Sequence, residues 1–202
     1  MLHATLLLIL SYLLGSIASA ILVCRMLGLS DPRAGGSGNP GATNVLRLHG
    51  KRAAIMTLAG DVLKGVIPVL LAKLLGQPAW VVAGCGLLAF AGHLFPVFFA
   101  FKGGKGVATL IGVLFASHWL IGTGFVLTWL LVAALFRYSS LAALVAALTS
   151  PAYTWYVLQE LPFIICHAIM VVLLFWRHRS NIRNLLNGSE GKIGKPKSRD
   201  PA

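Results

Sequence analysis

The chain has 202 residues, 57% of them hydrophobic and 11% charged, with a formal net charge of +12 from 17 Lys and Arg against 5 Asp and Glu. A soluble domain is about one-quarter charged, so these residues cannot cover a water-soluble globule of this size. The basic residues lie between long apolar runs, which excludes an ordinary nucleic-acid binder and leaves anionic headgroups, the positive-inside rule or a phosphorylated substrate.

The first apolar run, residues 2–24, is long enough to cross ~30 Å of hydrocarbon as a helix. Ala18-Ser19-Ala20 has the look of a cleavage site, but no Lys or Arg precedes it and the uncharged run continues to Cys24. A retained first span is therefore predicted. Next comes a polar island, Gly35-Gly36-Ser37-Gly38-Asn39-Pro40-Gly41-Ala42-Thr43-Asn44, followed by Arg47. Glycines let backbone N–H groups approach an anion, hydroxyls and amides add hydrogen bonds, and Arg47 can hold a phosphate bidentately.

The second span, residues 53–75, contains Asp61 and Lys64 at i, i+3, which are expected to pair with each other and shape the site, and also Lys73. The third, residues 79–101, opens after Pro78 and closes at Lys102. It leads through Gly92-His93 and Pro96 into a second island, Phe101-Lys102-Gly103-Gly104-Lys105-Gly106-Val107-Ala108-Thr109. Two lysines around Gly-Gly at the mouth of a helix make a phosphate-binding composition, although not a Walker A loop, because Gly106 follows Lys105.

Residues 106–136 are 31 residues without a formal charge, ~46 Å as one helix and too long for one crossing. A break near Ser117-His118-Trp119 is predicted. Two further spans, residues 141–158 and 162–176, lead to a third island from Arg177 through His178, Asn181 and Gly188-Ser189 to Glu190. With the long run divided, 15 of the 17 basic residues fall on one side of the membrane, all but Lys64 and Lys73. The positive-inside rule then predicts an all-α polytopic bundle of about seven transmembrane helices, N-terminus outside and C-terminus cytoplasmic. A single transmembrane domain over residues 1–190 with a polar cytoplasmic tail over 191–202 is expected. The three cysteines, Cys24, Cys85 and Cys166, form no CxxC pair, so neither a disulfide framework nor a metal site is predicted.

These three ordered islands resemble the signature motifs of the bacterial acyl-phosphate-dependent glycerol-3-phosphate acyltransferases, across essentially the whole chain up to about Glu190. The resemblance implies an inner-membrane enzyme of phospholipid synthesis with its active site facing the cytoplasm. It would move a fatty acyl group from acyl phosphate to the 1-hydroxyl of sn-glycerol 3-phosphate, giving lysophosphatidic acid and phosphate. By the same resemblance Ser37, Lys105, His178 and Asn181 form the catalytic set. Gly38, Asn39, Gly41, Thr43, Asn44, Arg47, Lys102, Gly103, Gly104, Thr109 and Ser140 bind the substrates, with Asp61, Lys64, His93 and Glu190 in support. The implied partners are the two substrates and membrane lipids; no cofactor, metal, nucleic acid or required protein partner is expected.

The residues themselves limit the choice of base. Membrane acyltransferases that use thioesters place His and Asp five apart, and no His here has Asp at i+5. This leaves His178 or a substrate phosphate to take the hydroxyl proton, with lysines and loop amides carrying the developing charge. A transporter for a phosphorylated anion is the rival class, but its site would be expected near the midplane between internal repeats.

Overall fold

The computed structural model describes residues 2–194. These residues form ten α-helices. The first apolar run is a bent pair, α1 (Leu2–Gly15) and α2 (Ser19–Met26), at 49° to each other. A loop and a short helix, α3 (Ala42–His49), lead into α4 (Lys51–Leu74). Then follow α5 (Ala79–Leu94), α6 (Val107–Ser117), α7 (Trp119–Phe136), α8 (Ser139–Leu158) and α9 (Leu161–Arg177). The last helix, α10 (Arg179–Leu186), bends away from α9 by 59°.

By length and apolarity, α4, α5 with the turn after it, α7 and α8 can each cross a membrane, and counting each bent pair as one span gives six. The remaining apolar segment, α6, has 11 residues, ~16 Å, about half of the hydrocarbon core. The long uncharged run therefore breaks at the expected place, into a short first helix of 11 residues and a second of 18. His118 is extended at φ −164°, and its Nδ1 accepts from the Leu120 N–H at 3.2 Å, starting α7. Lys73 Nζ donates to the Ser117 carbonyl at 2.6 Å and satisfies the end of α6. Lys73, in the last turn of α4, thus has a structural partner at the end of α6.

Small residues set the helix spacing. A Cβ on Gly112 of α6 would run into the Val62 carbonyl of α4, and one on Gly65 of α4 into the Thr109 carbonyl of α6. Gly15 and Gly92 bring α1 and α5 together in the same way. Gly112→Val is expected to lower stability by about 1–3 kcal/mol, because backbone cannot yield as a flexible side chain does. Thermal unfolding in detergent measures it, and an unchanged midpoint would show that the α4–α6 contact is slack.

Asp61 and Lys64 do form the ion pair read from their spacing, 2.9 Å apart and both buried. Lys64 Nζ also donates to the Ile17 carbonyl at 2.8 Å, a carbonyl freed where α1 bends into α2. One ammonium thus neutralises a buried carboxylate and holds the kink. Lys64→Met leaves Asp61 without its cation and should cost about 3–5 kcal/mol, whereas replacing both by leucine should cost less. Unfolding midpoints of the single and double variants check this; a double variant as damaged as the single would count against the pair.

The predicted tail over 191–202 is described as far as Gly194; Lys195, Lys197 and Arg199 lie outside the described residues. Its first part folds back onto the turn between α7 and α8. The Ile193 N–H donates to the Arg137 carbonyl at 2.7 Å, the Arg137 guanidinium donates back to the Ile193 carbonyl at 3.2 Å, and Lys192 stands 5.5 Å from the Tyr138 ring centre. Trp80, Trp119, Trp155 and Trp176 are exposed near helix ends, as an aromatic belt requires, while Trp129 faces a cavity.

Candidate active site

The three polar islands meet at one end of the bundle. In the first, Asn44 serves the loop itself. Its Nδ2 donates to the carbonyls of Pro32 at 2.8 Å and Gly35 at 3.2 Å, and its Oδ1 accepts from the Ser37 N–H at 2.9 Å. This pins Ser37 beside the first turn of α3. Gly36, at φ 61°, leaves room for that amide, since a Cβ there would strike Asn44 Oδ1.

In the second island, the chain reverses through Ala100 and Phe101, both in the left-handed region at φ 53° and 58°. Gly103 and Gly104 are buried against the end of α5, where side chains would collide with the carbonyl and ring of His93. The Gly104 N–H donates to the His93 carbonyl at 3.2 Å. The glycines are required for close packing, and the amide of Gly104 is occupied within the protein. What this island offers a ligand is Lys105 and the first turn of α6.

The third island supplies Arg177, His178, Asn181 and Glu190. Lys105 Nζ donates to Asn181 Oδ1 at 2.5 Å, Asn181 Nδ2 donates to Glu190 Oε1 at 2.8 Å, and Ser140 Oγ donates to the same Glu190 oxygen at 2.5 Å. One carboxylate therefore orients an amide and a hydroxyl that come from different helices. Burial lowers the pKa of Lys105 below the ordinary value, with Arg177 and Arg47 acting in the same direction and Glu190 against them. His178 Nδ1–H donates to the Leu174 carbonyl at 2.8 Å, and burial holds this imidazole down at about 4. At neutral pH it is uncharged, and with Nδ1 protonated its Nε2 keeps a lone pair.

A cavity of about 710 Å³ joins these groups. Of the residues picked from sequence, Ser37, Asn39, Gly41, Thr43, Asn44, Arg47, Asp61, His93, Lys105, Ser140, His178, Asn181 and Glu190 line it. Gly38 and Thr109 do not, and Thr109 is buried at the α4–α6 contact. Lys64, Gly103 and Gly104 instead line a space of about 10 Å³ next to Asp61 and His93, room for about one water. Lys102 is exposed and outside the cavity lining, so the two lysines of the island are separated. Asp61 Oδ1 stands 3.5 Å from His93 Nδ1, so an imidazole and a carboxylate do meet here, through tertiary packing that no sequence spacing reveals.

Sequence alone gives no role to Lys51, names Arg177 only as part of the third island and offers Ser139 only as the neighbour of Ser140. Lys51 and Ser139 line the cavity, each in the first turn of a helix, a position that capping rules could have flagged. Missed entirely was the apolar limb, where Ile55, Leu58 and Val62 of α4 face Val126, Trp129 and Leu130 of α7. It is continuous with a polar mouth lined by Arg47, Lys51 and Lys105 and by the first residues of α3, α4, α6 and α8. Four helix N-termini and three cations face two carboxylates there, one neutralised by Lys64 and one bound by Ser140 and Asn181. Such a mouth favours a phosphate, and the limb favours a hydrocarbon.

A family model described as glycerol-3-phosphate acyltransferase matches residues 5–188. The glycerol-3-phosphate acyltransferase of Methylococcus capsulatus is 55% identical over 91% of this chain and 93% of its own. That of Thioalkalivibrio sulfidiphilus is 53% identical over 96% of each. Among solved structures, PlsY (YgiH), an integral membrane glycerol 3-phosphate acyltransferase in its glycerol 3-phosphate form, superposes with a TM-score of 0.91 at 40% identity, over 95% of this chain and 96% of that one. Its lysophosphatidic acid form superposes at 0.89 with 39% identity, over the same shares. A phosphate-attracting mouth on an apolar limb is what such a reaction needs, and with these matches along nearly its whole length the chain belongs to the glycerol-3-phosphate acyltransferase family, as an integral membrane enzyme that acylates glycerol 3-phosphate.

Proposed function

We propose that this enzyme takes its acyl group from an acyl phosphate and delivers it to the 1-hydroxyl of sn-glycerol 3-phosphate, releasing lysophosphatidic acid and inorganic phosphate. The observation that carries this reading is the continuity of a cationic mouth with an apolar limb about 16 Å deep along α4, from Lys51 to Val62. The acyl chain lies along the limb, its carbonyl and phosphate at the mouth. Glycerol 3-phosphate enters from the polar side and meets Arg47, Lys105, Ser140 and Asn181.

The glycerol hydroxyl oxygen attacks the acyl carbonyl carbon, its proton passes to His178 Nε2, and collapse of the tetrahedral oxyanion breaks the carbon–oxygen bond to phosphate. His178 then returns the proton to the departing phosphate. Lys105 and the amino end of α6 carry the charge that develops, and Ser37 and Thr43 hydrogen-bond phosphate oxygens. Glu190 holds Asn181 and Ser140 in place. The mouth opens to the cytoplasm at the inner membrane, on the side where the basic residues of the three islands gather, and α6 is counted as the seventh crossing that puts the C-terminus on that side and the N-terminus opposite.

Purified enzyme offered glycerol 3-phosphate with palmitoyl phosphate, palmitoyl-CoA or palmitoyl-acyl carrier protein separates the donors. Lysophosphatidate from the first alone, with one phosphate released per product, is the expected result. Equal product from a thioester would overturn the donor assignment, and glycerol 3-phosphate flux into proteoliposomes without acylation would favour a transporter.

A further inference from the structure

The Gly103–Gly104 turn is gripped from two sides. From α5, the His93 carbonyl accepts the Gly104 N–H at 3.2 Å, and the His93 ring fills the space a side chain would need. From α9, Arg177 Nε donates to the Gly104 carbonyl at 3.0 Å and Nη2 to the Gly103 carbonyl at 2.5 Å. Both carbonyls and one amide of the diglycine are therefore consumed inside the protein. Arg177 is half-buried and does not line the cavity, so its fork is turned to backbone and not to substrate. The next residue, Lys105, does line the cavity and bonds Asn181, one helical turn beyond Arg177.

We infer that Arg177 is a positioning residue for acyl transfer: its guanidinium, locked across the Gly103 and Gly104 carbonyls, sets where Lys105 and the amino end of α6 stand relative to His178 and Asn181. A planar fork with two aligned donors fixes both the position and the tilt of a peptide pair, whereas an ammonium fixes one distance. Arg177 and His178 are neighbours at the end of α9, so one turn of helix registers the second island against the third. A small displacement of this loop carries the charge-stabilising lysine away from the reacting carbonyl.

The inference rests on the reading that Lys105 acts on the substrates, and the test keeps the two apart. Purified Arg177→Met, Arg177→Lys, Lys105→Met and the Arg177→Met/Lys105→Met double variant are compared for kcat/KM and for glycerol 3-phosphate Kd, with unfolding midpoints as the control. Arg177→Met should lose on the order of 10²-fold in kcat/KM, as for a displacement of about 1 Å. Arg177→Lys should lose on the order of 10-fold, keeping one of two bonds. In the Lys105→Met background the further loss from Arg177→Met should shrink to a few-fold, because the two residues act as a unit. Guanidinium ion, and not ammonium, should restore part of the turnover of Arg177→Ala.

Equal losses in both backgrounds, or a fall in turnover that only follows the unfolding midpoint without guanidinium rescue, would overturn the positioning role. If Arg177→Met fails to fold, Arg177→Lys carries the same comparison. A wild-type enzyme inactive with palmitoyl phosphate would overturn the donor assignment instead, and the non-additivity would then be read in the glycerol 3-phosphate Kd.

Discussion

Lys105→Ala should lower kcat on the order of 10²–10³-fold while leaving the protein folded and inserted, the usual cost of removing one preorganised donor to a developing oxyanion. Lys105 reaches into the cavity: its ammonium bonds the Asn181 side chain and has its pKa lowered by burial, the marks of a cation poorly served by water. Lys102, three residues earlier in the same island, is exposed and outside the cavity lining. Lys102→Ala should therefore stay within a few-fold of wild type. The family resemblance puts Lys105 in the catalytic set and Lys102 among the binding residues, and a substantial kcat loss at Lys102 with none at Lys105 would reverse that order. Steady-state kinetics on both variants, with membrane yield as the control, decide it.

His178→Ala should cost about 10²–10⁴-fold in turnover, the range for a positioned general base. The Nδ1–H bond to the Leu174 carbonyl fixes the tautomer, and the lone pair of Nε2 is left for the glycerol hydroxyl. Because burial lowers this imidazole from 6.5 to about 4, the neutral, base-competent form persists down to that pH. Activity should not fall at the pH where a solvated histidine becomes charged; the acid limb belonging to His178 should lie near 4. Nitrogen-15 shifts of labelled histidine report the same titration without substrate, and a midpoint near 6.5 would contradict the buried tautomer. A His178→Ala enzyme within a few-fold of wild type would transfer the base to the substrate phosphate.

Much of the fold is legible in residue order because the bilayer admits few solutions. Apolar runs of about 20 residues are helices there, and the break at Ser117-His118-Trp119 follows from excess length. A break there already leaves a first half as short as the 11 residues of α6; what residue order does not show is that Lys73 reaches from α4 to the Ser117 carbonyl. Most of the cavity-lining polar residues stand in the three islands of glycines, amides and cations, while Asp61 is marked by its charge within a span and Ser140 only by the family resemblance. Their individual duties are not legible there. Asn44 holds its own loop, Gly103 and Gly104 pack against His93, and Arg177 grips backbone, and each of these depends on a partner many residues away. The apolar limb was illegible for a different reason. Ile55, Leu58 and Leu130 look like any lipid-facing residue until α4 and α7 are seen to leave a cavity between them.

A ternary complex gives the most direct test that one cavity receives both substrates. A crystal structure with glycerol 3-phosphate and a non-transferable alkyl phosphonate should place the glycerol phosphate among Arg47, Lys105 and Asn181. The alkyl chain should run between Ile55, Leu58 and Val62 on one side and Val126, Trp129 and Leu130 on the other, with the glycerol hydroxyl within hydrogen-bond reach of His178 Nε2. Glycerol 3-phosphate bound elsewhere, or an alkyl chain lying outside the limb between α4 and α7, would contradict the account.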